Sequence, residues 1–214
     1  MKDYRTNFQG DYDHPCIIVS VLPEFDAGVE WLLDFFASEF RRGVAFRSGE
    51  TVQIGWMICM LKSNDMGDLE VWEPDFESIP IKWVRGVNRT LRDLLIQREV
   101  CKQLGVEPNL PSLRQFGLIS LNYAAGVEGS MTRRESHENN SGWFIEVLDG
   151  ENVGAKHASL YEIALQDYRV VPFLGLPSGS RVRYSEAGIW IACDEVLIDA
   201  GSNKFLNRLH ANWV

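Results

Sequence analysis

The sequence lacks the short patterns by which many enzymes, metalloproteins and membrane proteins are recognised. Its four cysteines form no CxxC pair and its four histidines form no HxH or HxxxH pair, so the common zinc and redox motifs are missing. GxSxG, Walker, GxGxxG and EF-hand patterns are also absent. No stretch approaches the roughly 20 apolar residues that a membrane span needs. The sequence therefore predicts no metal, no cofactor and no membrane partner.

Basic residues are scarce as well. The chain has 21 Lys and Arg against 30 Asp and Glu, a formal net charge of −9. Because phosphate binding needs clustered Lys and Arg, this balance disfavours nucleic acid as a direct partner. It permits a basic protein partner, although an acidic balance is also a common route to solubility.

The composition is that of a globular protein. The chain has 214 residues, 45% of them hydrophobic, enough for one large domain or two small ones. The polar start lacks the apolar run of a secretory signal. The widely spaced Cys16, Cys59, Cys101 and Cys193 are interpreted as reduced thiols, which predicts a cytoplasmic protein. A cysteine nucleophile with a distant histidine stays open, but Cys59 and Cys193 lie in apolar runs.

Periodicity places the elements of the first half. The β-branched run at 16–22 predicts a buried strand, and helical spacing of apolar residues predicts helices over 29–40 and 83–105. Alternation over 51–61 predicts one strand that pairs with the segment at 69–72 as a hairpin.

The second half is divided by a polar stretch. Glycine, serine, asparagine and charged residues replace the apolar period around 126–142, so we predict a domain over 1–130, a linker or loop at 131–140 and a module over 141–214. The further strands and helix are predicted at 118–123, 143–148, 159–165, 181–192 (a hairpin) and 195–198. Irregular order predicts an α+β fold of mainly antiparallel sheets, with two longer helices in the N-terminal part and a small α+β C-terminal module.

The one concentrated polar feature is a run of six acidic residues with two interleaved aromatic residues and no basic residue. We call this set the acidic segment; it consists of Asp65, Asp68, Glu70, Trp72, Glu73, Asp75, Phe76 and Glu77. Carboxylates around an aromatic anchor would steer a basic partner and supply a desolvated contact, so we predict a partner-binding surface here. The alternatives are a solvated acidic face and a metal site completed by other segments.

A pair of arginines marks the C-terminal part. Arg181 and Arg183 alternate on a predicted strand, so both side chains project from one face of a sheet. Two interpretations stay open, contact with a ligand and pairing with nearby acids. The acids in question are Asp149, Glu151, Asp194 and Glu195.

The order of parts from Ser141 to Ile191 carries a resemblance. The successive parts are Ser141-Gly142-Trp143-Phe144, Asp149-Gly150-Glu151, Ser159-Leu160-Tyr161-Glu162-Ile163, Val171-Pro172-Phe173-Leu174 and Gly179-Ser180-Arg181-Val182-Arg183. This order resembles the immunity protein thirty-three group, a bacterial family of unknown function assigned among polymorphic-toxin immunity proteins. The chain departs from the family pattern at Gln166-Asp167-Tyr168, where an aspartate followed by proline is more usual.

The resemblance implies a non-enzymatic, cytoplasmic immunity protein that neutralises a cognate toxin by direct binding. The alternative is an enzyme or small-ligand-binding protein with a nonstandard site at the junction of the two halves, since clefts between domains are common ligand sites. The scattered Asp and Glu and the loop residue His137 motivate that alternative.

Overall fold

The computed structural model describes residues 1–6, 14–151 and 153–213. The chain forms two compact units, Met1–Leu94 and Leu95–Val214, and the division falls inside a helix. The polar stretch at 131–140, predicted from composition as a linker or loop, lies within the second unit; residues 131–133 and 140 belong to two paired strands, and 134–139 connect them.

The first unit contains β1 (Lys2–Arg5), β2 (Ile17–Val21), a 3₁₀ turn (Pro23–Phe25), α1 (Asp26–Arg41), β3 (Thr51–Ile54), β4 (Met57–Ser63), β5 (Leu69–Pro74) and β6 (Trp83–Arg85). The helix α2 (Asn88–Leu104) crosses the division. The second unit continues with β7 (Phe116–Ser120), β8 (Gly129–Arg133), β9 (Asn140–Val147), β10 (Ala155–Ser159), α3 (Leu160–Gln166), a 3₁₀ helix (Tyr168–Phe173), β11 (Arg181–Ser185), β12 (Gly188–Cys193), β13 (Val196–Asp199) and α4 (Lys204–Ala211).

The first unit is built on a mixed sheet with strand order β1-β2-β5-β4-β3, in which β6 also pairs with β5. β2 runs parallel to β5 and the other pairs are antiparallel. The predicted strand at 16–22 is confirmed, and all five residues of β2 are buried. The predicted hairpin of β4 and β5 is confirmed by the pairing of Leu61 with Val71.

The prediction of one strand over 51–61 was wrong, because the chain turns back in its middle. Ile54 pairs with Met57, so Gly55 and Trp56 form a two-residue hairpin turn. Gly55 has φ of +63°, a left-handed conformation that glycine adopts without steric cost. The Trp56 ring is buried, and its Nε1 donates to Asp93 Oδ2 at 3.2 Å. Trp56 therefore anchors the hairpin to the first half of α2.

The prediction of a helix over 83–105 is confirmed only from Asn88 onward. The residues before it form β6, and Gly86, with φ of +104°, changes the chain direction. A Cβ at Gly86 would lie 2.8 Å from the Ser20 carbonyl oxygen, so this approach requires glycine.

The second unit is built on a sheet with strand order β10-β7-β9-β8-β11-β12-β13. β7 and β9 are parallel, and every other neighbouring pair is antiparallel. The predicted hairpin at 181–192 and the strand at 195–198 are confirmed as β11, β12 and β13. Strands β8 and β10 were not predicted, because each contains few apolar residues. Helix α4 was also missed, although Phe205, Leu206 and Leu209 have helical spacing.

The helices of the second unit pack on one face of its sheet, which we call the inner face. Helix α3 contacts β7 and β10, and α4 contacts β12. Buried apolar side chains from neighbouring strands form the core on this face; they are Ile119, Ile145, Met131, Val182 and Ile191. The predicted helix at 159–165 is confirmed by a capping box, in which Ser159 and Glu162 exchange hydrogen bonds.

The α+β class and the dominance of antiparallel pairing are confirmed. The placement of two long helices in the N-terminal part holds only in part. α1 lies in the first unit, whereas α2 continues into the second, which also contains the shorter α3 and α4.

One glycine of the second unit supplies a test of this packing. A Cβ at Gly129 would overlap the ring of Tyr184, which is buried beside it and hydrogen-bonded to Tyr123. We expect Gly129→Ala to lower the free energy of unfolding by about 2–3 kcal/mol, because an overpacked core must shift.

The control is Gly28→Ala in α1, where the nearest atoms to a new Cβ lie at 3.6 Å, an ordinary contact. That change should stabilise by about 0.5–1 kcal/mol, since alanine favours helix more than glycine. Urea unfolding of both variants makes the measurement, and a Gly129→Ala protein as stable as the wild type would contradict the packing.

Candidate partner-binding surfaces

The structure divides the acidic segment among different places. Asp65 is exposed in the turn before β5, while Asp75 and Glu77 follow its other end. The six residues of β5 separate these ends by about 20 Å, at roughly 3.3 Å per residue. The segment therefore does not form one continuous acidic patch.

Within β5, side chains alternate between the two faces of the sheet. Glu70 and Trp72 are half-buried on one face, whereas Leu69, Val71 and Glu73 are buried on the other. This alternation sends neighbouring members of the acidic segment in opposite directions.

The carboxylates on the half-buried face of the first sheet are paired with arginines. Arg85 Nε donates to Glu70 Oε1 at 3.0 Å, and its Nη2 donates to Asp3 Oδ2 at 2.8 Å. Asp68 forms an ion pair with Arg5 at 3.1 Å. Much of the negative charge of this part of the acidic segment is therefore offset within the unit.

Trp72 is held in the same network. Its Nε1 donates to Glu70 Oε2 at 3.2 Å, and the Lys62 ammonium lies 3.9 Å from its ring centroid. A cation over a tryptophan face is an attractive arrangement. The aromatic member of this face is thus already covered by a lysine of the same sheet.

Glu73 accepts hydrogen bonds from the start of α2. Its carboxylate accepts hydrogen bonds from the backbone N–H of Arg89 at 3.0 Å and of Thr90 at 2.7 Å, and from the Thr90 hydroxyl at 2.8 Å. The two N–H groups belong to the first turn of α2 and have no partner within the helix. Burial raises the pKa of Glu73, and these hydrogen bonds oppose the rise. Glu73 therefore fastens the start of α2 to β5.

Phe76 is also mostly buried. Its ring lies 5.6 Å from that of Trp56, and the Arg89 guanidinium lies 5.2 Å from its centroid. Its φ of +54° places it in the left-handed region, which is uncommon for an aromatic residue. The ring contributes to the packing of the first unit.

The C-terminal end of the acidic segment borders a cleft of about 380 Å³. Asp75, Glu77 and Glu24 supply carboxylates to its lining, and Leu22 and Val84 supply exposed apolar surface. Within the acidic segment, Asp65 and Glu77 are the most exposed carboxylates, and they are the members best able to reach a partner.

The second unit presents a different surface, the face of its sheet opposite the inner face. Cross-strand neighbours share a face, so the strand registers define two rows of side chains there. One row consists of His157, Leu118, Phe144, Thr132, Arg181, Ala192 and Leu197. The other consists of Glu146, Ser130, Arg183, Trp190 and Asp199. We call these twelve residues the outer face; all are exposed or half-buried.

The predicted projection of Arg181 and Arg183 from one face is confirmed, since both belong to the outer face and are exposed. The Arg183 guanidinium lies 5.3 Å from the centroid of the Trp190 ring on the next strand. Within the described ranges, neither arginine forms an ion pair with a carboxylate. Pairing with the neighbouring acids is therefore not what holds these two side chains.

A cleft of about 640 Å³ opens at the other end of the outer face. Leu118 and Phe144 line it on the sheet, and Arg134 and His137 line it from the connection between β8 and β9. That connection approaches the strand closely at Gly142, whose φ is +80° and where a Cβ would overlap the Arg134 carbonyl. The glycine of the Ser141-Gly142-Trp143 motif thus shapes the cleft.

Three buried or half-buried polar side chains of the second unit form a hydrogen-bonded cluster around Asp167. Tyr123 donates to Asp167 Oδ2 at 2.6 Å, its hydroxyl lies 2.5 Å from that of Tyr184, and Arg169 binds both carboxylate oxygens of Asp167. Burial raises the pKa of both tyrosines. Asp167, at the departure from the family pattern, thereby links Arg169 of the 3₁₀ helix to Tyr123, whose hydroxyl in turn contacts Tyr184 of β11.

Arg133 is the other buried charge. Its Nη1 donates to the carbonyl oxygens of Asn109, Leu174 and Leu176, and its guanidinium lies 5.5 Å from the Trp143 ring centroid. Trp143 Nε1 donates to the same Leu174 carbonyl at 3.2 Å. Burial lowers the pKa of Arg133 to about 10. The polar stretch at 131–140 thus contains, at Arg133, a residue that hydrogen-bonds to two other segments of the second unit.

Two buried thiols are poorly suited to act as nucleophiles. Burial raises the pKa of Cys59 to about 12 and of Cys101 to about 11, which disfavours the reactive thiolate form. The described residues contain no group of three or more His, Cys, Asp or Glu side chains placed to hold a metal ion. In the same ranges, no helix is long and apolar enough to cross a membrane.

The fold is thus that of an α+β protein whose second unit has helices on one sheet face and an open opposite face. The family model of the Imm33-like domain matches residues 96–211, and the chain belongs to this family. The matched range is longer than the stretch Ser141–Ile191 that carries the resemblance in the sequence. Membership of this family implies an immunity-like role and a protein as the binding partner. Neither a curated protein nor a solved structure matches the chain.

The position of Glu73 predicts the effect of removing it. We expect Glu73→Ala to lower the free energy of unfolding by about 1–3 kcal/mol, because two N–H groups and a hydroxyl lose their acceptor. Glu77→Ala, which removes an exposed carboxylate of the same segment, should change stability by less than about 0.5 kcal/mol. Urea unfolding at neutral pH compares the two, and equal effects would rule out the assigned role of Glu73.

Proposed function

We propose that the chain is a cytoplasmic immunity protein that neutralises a cognate bacterial toxin by binding it directly. The observation that carries this proposal is the match of the Imm33-like domain to residues 96–211, which is more than half of the chain. The family description supports a toxin partner and its neutralisation, because an immunity role requires a protein partner.

A non-enzymatic mode of action is part of the proposal. Neutralisation by binding needs a complementary surface and no reacting group. The buried polar side chains of the second unit support this view, since Arg133 is engaged by backbone carbonyls and Asp167 by Arg169 and Tyr123. Such groups stabilise a rigid scaffold, which favours tight binding because little freedom is lost on association.

A cytoplasmic location is proposed on the chemistry of the thiols. Cys16, Cys59, Cys101 and Cys193 are free, and three of them are buried. Thiols persist in reducing compartments, where disulfides are rare.

We further propose that the exposed carboxylates of the acidic segment steer a basic partner. Residues 1–94 hold 16 acidic and 10 basic residues, and residues 95–214 hold 14 and 11, so the excess of negative charge is larger in the first unit. Complementary charge raises association rates, and exposed carboxylates contribute most. Asp65 and Glu77 are the members of the acidic segment that fit this role.

The proposed immunity role is tested by co-expression. Cells that produce the toxin encoded beside the gene of this chain should grow when the full chain is produced with it, and the two purified proteins should form a stable complex. Growth curves and size-exclusion chromatography measure the two effects. An unrelated acidic protein of similar size is the control, and failure of both rescue and complex formation would falsify the role.

The steering proposal is tested by charge reversal. We expect Asp65→Lys with Glu77→Lys to slow association with the same toxin by about three- to tenfold at low salt, with little change at high salt. Surface plasmon resonance at several salt concentrations measures the association rate.

The matched control is Glu30→Lys with Asp34→Lys, which reverses two exposed carboxylates of α1. The two pairs are compared at physiological ionic strength, where exposed charges are screened beyond about 8 Å, so reversals outside the contact should have a smaller effect. If both pairs slow association equally, the acidic segment has no special part in recognition.

A further inference from the structure

The outer face of the second unit is an extended surface whose twelve side chains are exposed or half-buried. Its longer row crosses from β10 to β13 over six strand spacings, about 29 Å at roughly 4.8 Å each. The helices α3 and α4 contact the strands from the inner side. The width of this sheet face is comparable to that of the surface that one partner contributes to a standard protein–protein interface.

The outer face carries cations on an acidic chain. Arg181 and Arg183 stand two residues apart on β11, so their backbones are about 7 Å apart along the strand. Each side chain is exposed, and neither is paired with a carboxylate of the described residues. Two such arginines favour carboxylates on a partner, because arginine binds a carboxylate through two donors.

The surroundings of the arginines favour a protein contact. Arg183 is held over the half-buried Trp190, and a stacked arginine loses less conformational freedom on binding than a free one. Tryptophan and arginine are the residue types most enriched among energetically dominant interface contacts. Leu197, 55% exposed on the neighbouring strand, extends this area with apolar surface.

The other end of the outer face supplies an apolar recess. The 640 Å³ cleft is lined by Leu118 and Phe144 on the sheet, and it lies on the same row as Arg181. Its size suits a large apolar side chain or a short loop of a partner. The outer face thus combines a recess, a central polar strip and an Arg–Trp pair.

We propose that the outer face is the surface through which the chain binds its toxin, and that the toxin presents carboxylates opposite Arg181 and Arg183. An apolar side chain of the toxin enters the cleft beside Phe144. This inference rests on the proposed immunity function and names the contact surface within the family-matched range. Nucleic acid is disfavoured, because Glu146 and Asp199 stand in the same row as Arg183 and the chain carries a net charge of −9.

Charge reversal on the outer face tests the inference. The full chain carrying Arg181→Glu with Arg183→Glu is compared with the wild type for binding to the toxin encoded beside its gene, by isothermal titration calorimetry. We expect affinity to fall by about 30-fold or more, because each guanidinium would be replaced by a like charge facing a carboxylate. Trp190→Ala should weaken binding by about tenfold or more.

The matched control is Arg98→Glu with Arg208→Glu, which reverses two exposed arginines on α2 and α4. This pair makes the same change in net charge away from the outer face and should alter affinity by less than about threefold. Thermal melting checks that each variant is folded. If Trp190→Ala is unstable, Arg181→Glu with Arg183→Glu still tests the inference, because both arginines are exposed.

The outcomes separate the two proposals. If the wild type binds and rescues while the outer-face variants bind equally well, the outer face is not the contact surface and the immunity role stands. If the wild type neither binds nor rescues, both proposals fall. If the chain alone is a dimer that Arg181→Glu with Arg183→Glu converts to a monomer without changing toxin affinity, the outer face binds a second copy and the inference is overturned.

Discussion

Side chains on a β-strand alternate between the two faces of a sheet, and this constraint decides what most charged strand residues of the chain can do. On β5 it turns Glu70 outward and Glu73 inward. On β11 it exposes Arg181 and Arg183 while it buries Val182 and Tyr184. A run of like residues in the sequence is therefore split in space, and residues from distant strands are brought together instead.

Backbone groups supply most of the hydrogen bonds made by the two inward charges Glu73 and Arg133. Glu73 accepts from two N–H groups at the start of α2, and Arg133 donates to the carbonyl oxygens of Asn109, Leu174 and Leu176. A buried charge without such partners would cost several kcal/mol. Glu73 fixes the start of α2 against β5, and Arg133 fixes the loop segments at Asn109 and at Leu174 to Leu176 against β8.

The two units differ in how they use charge. In the first, ion pairs such as Arg85 with Glu70 offset several acids, and exposed carboxylates remain near the ends of β5. In the second, Arg181 and Arg183 stand on an open sheet face beside Trp190. The first unit thus pairs most of the charges on its sheet internally, whereas the second leaves two guanidinium groups exposed on its sheet.

The sequence by itself determined the α+β class, the buried strand β2, the helices α1 and α3, and the hairpin of β11 and β12, because each has a strong local period or cap. It also placed Arg181 and Arg183 on one face, since strand alternation is local. The sequence could also have indicated that Glu73 is buried, because Leu69, Val71 and Glu73 are alternate residues of one strand and therefore lie on the same face. Only the tertiary structure decided that Gly55 reverses the chain, that Arg133 is buried and that Trp190 lies under Arg183. Those three features depend on strand register and on contacts between segments far apart in the chain, and local sequence patterns do not determine either.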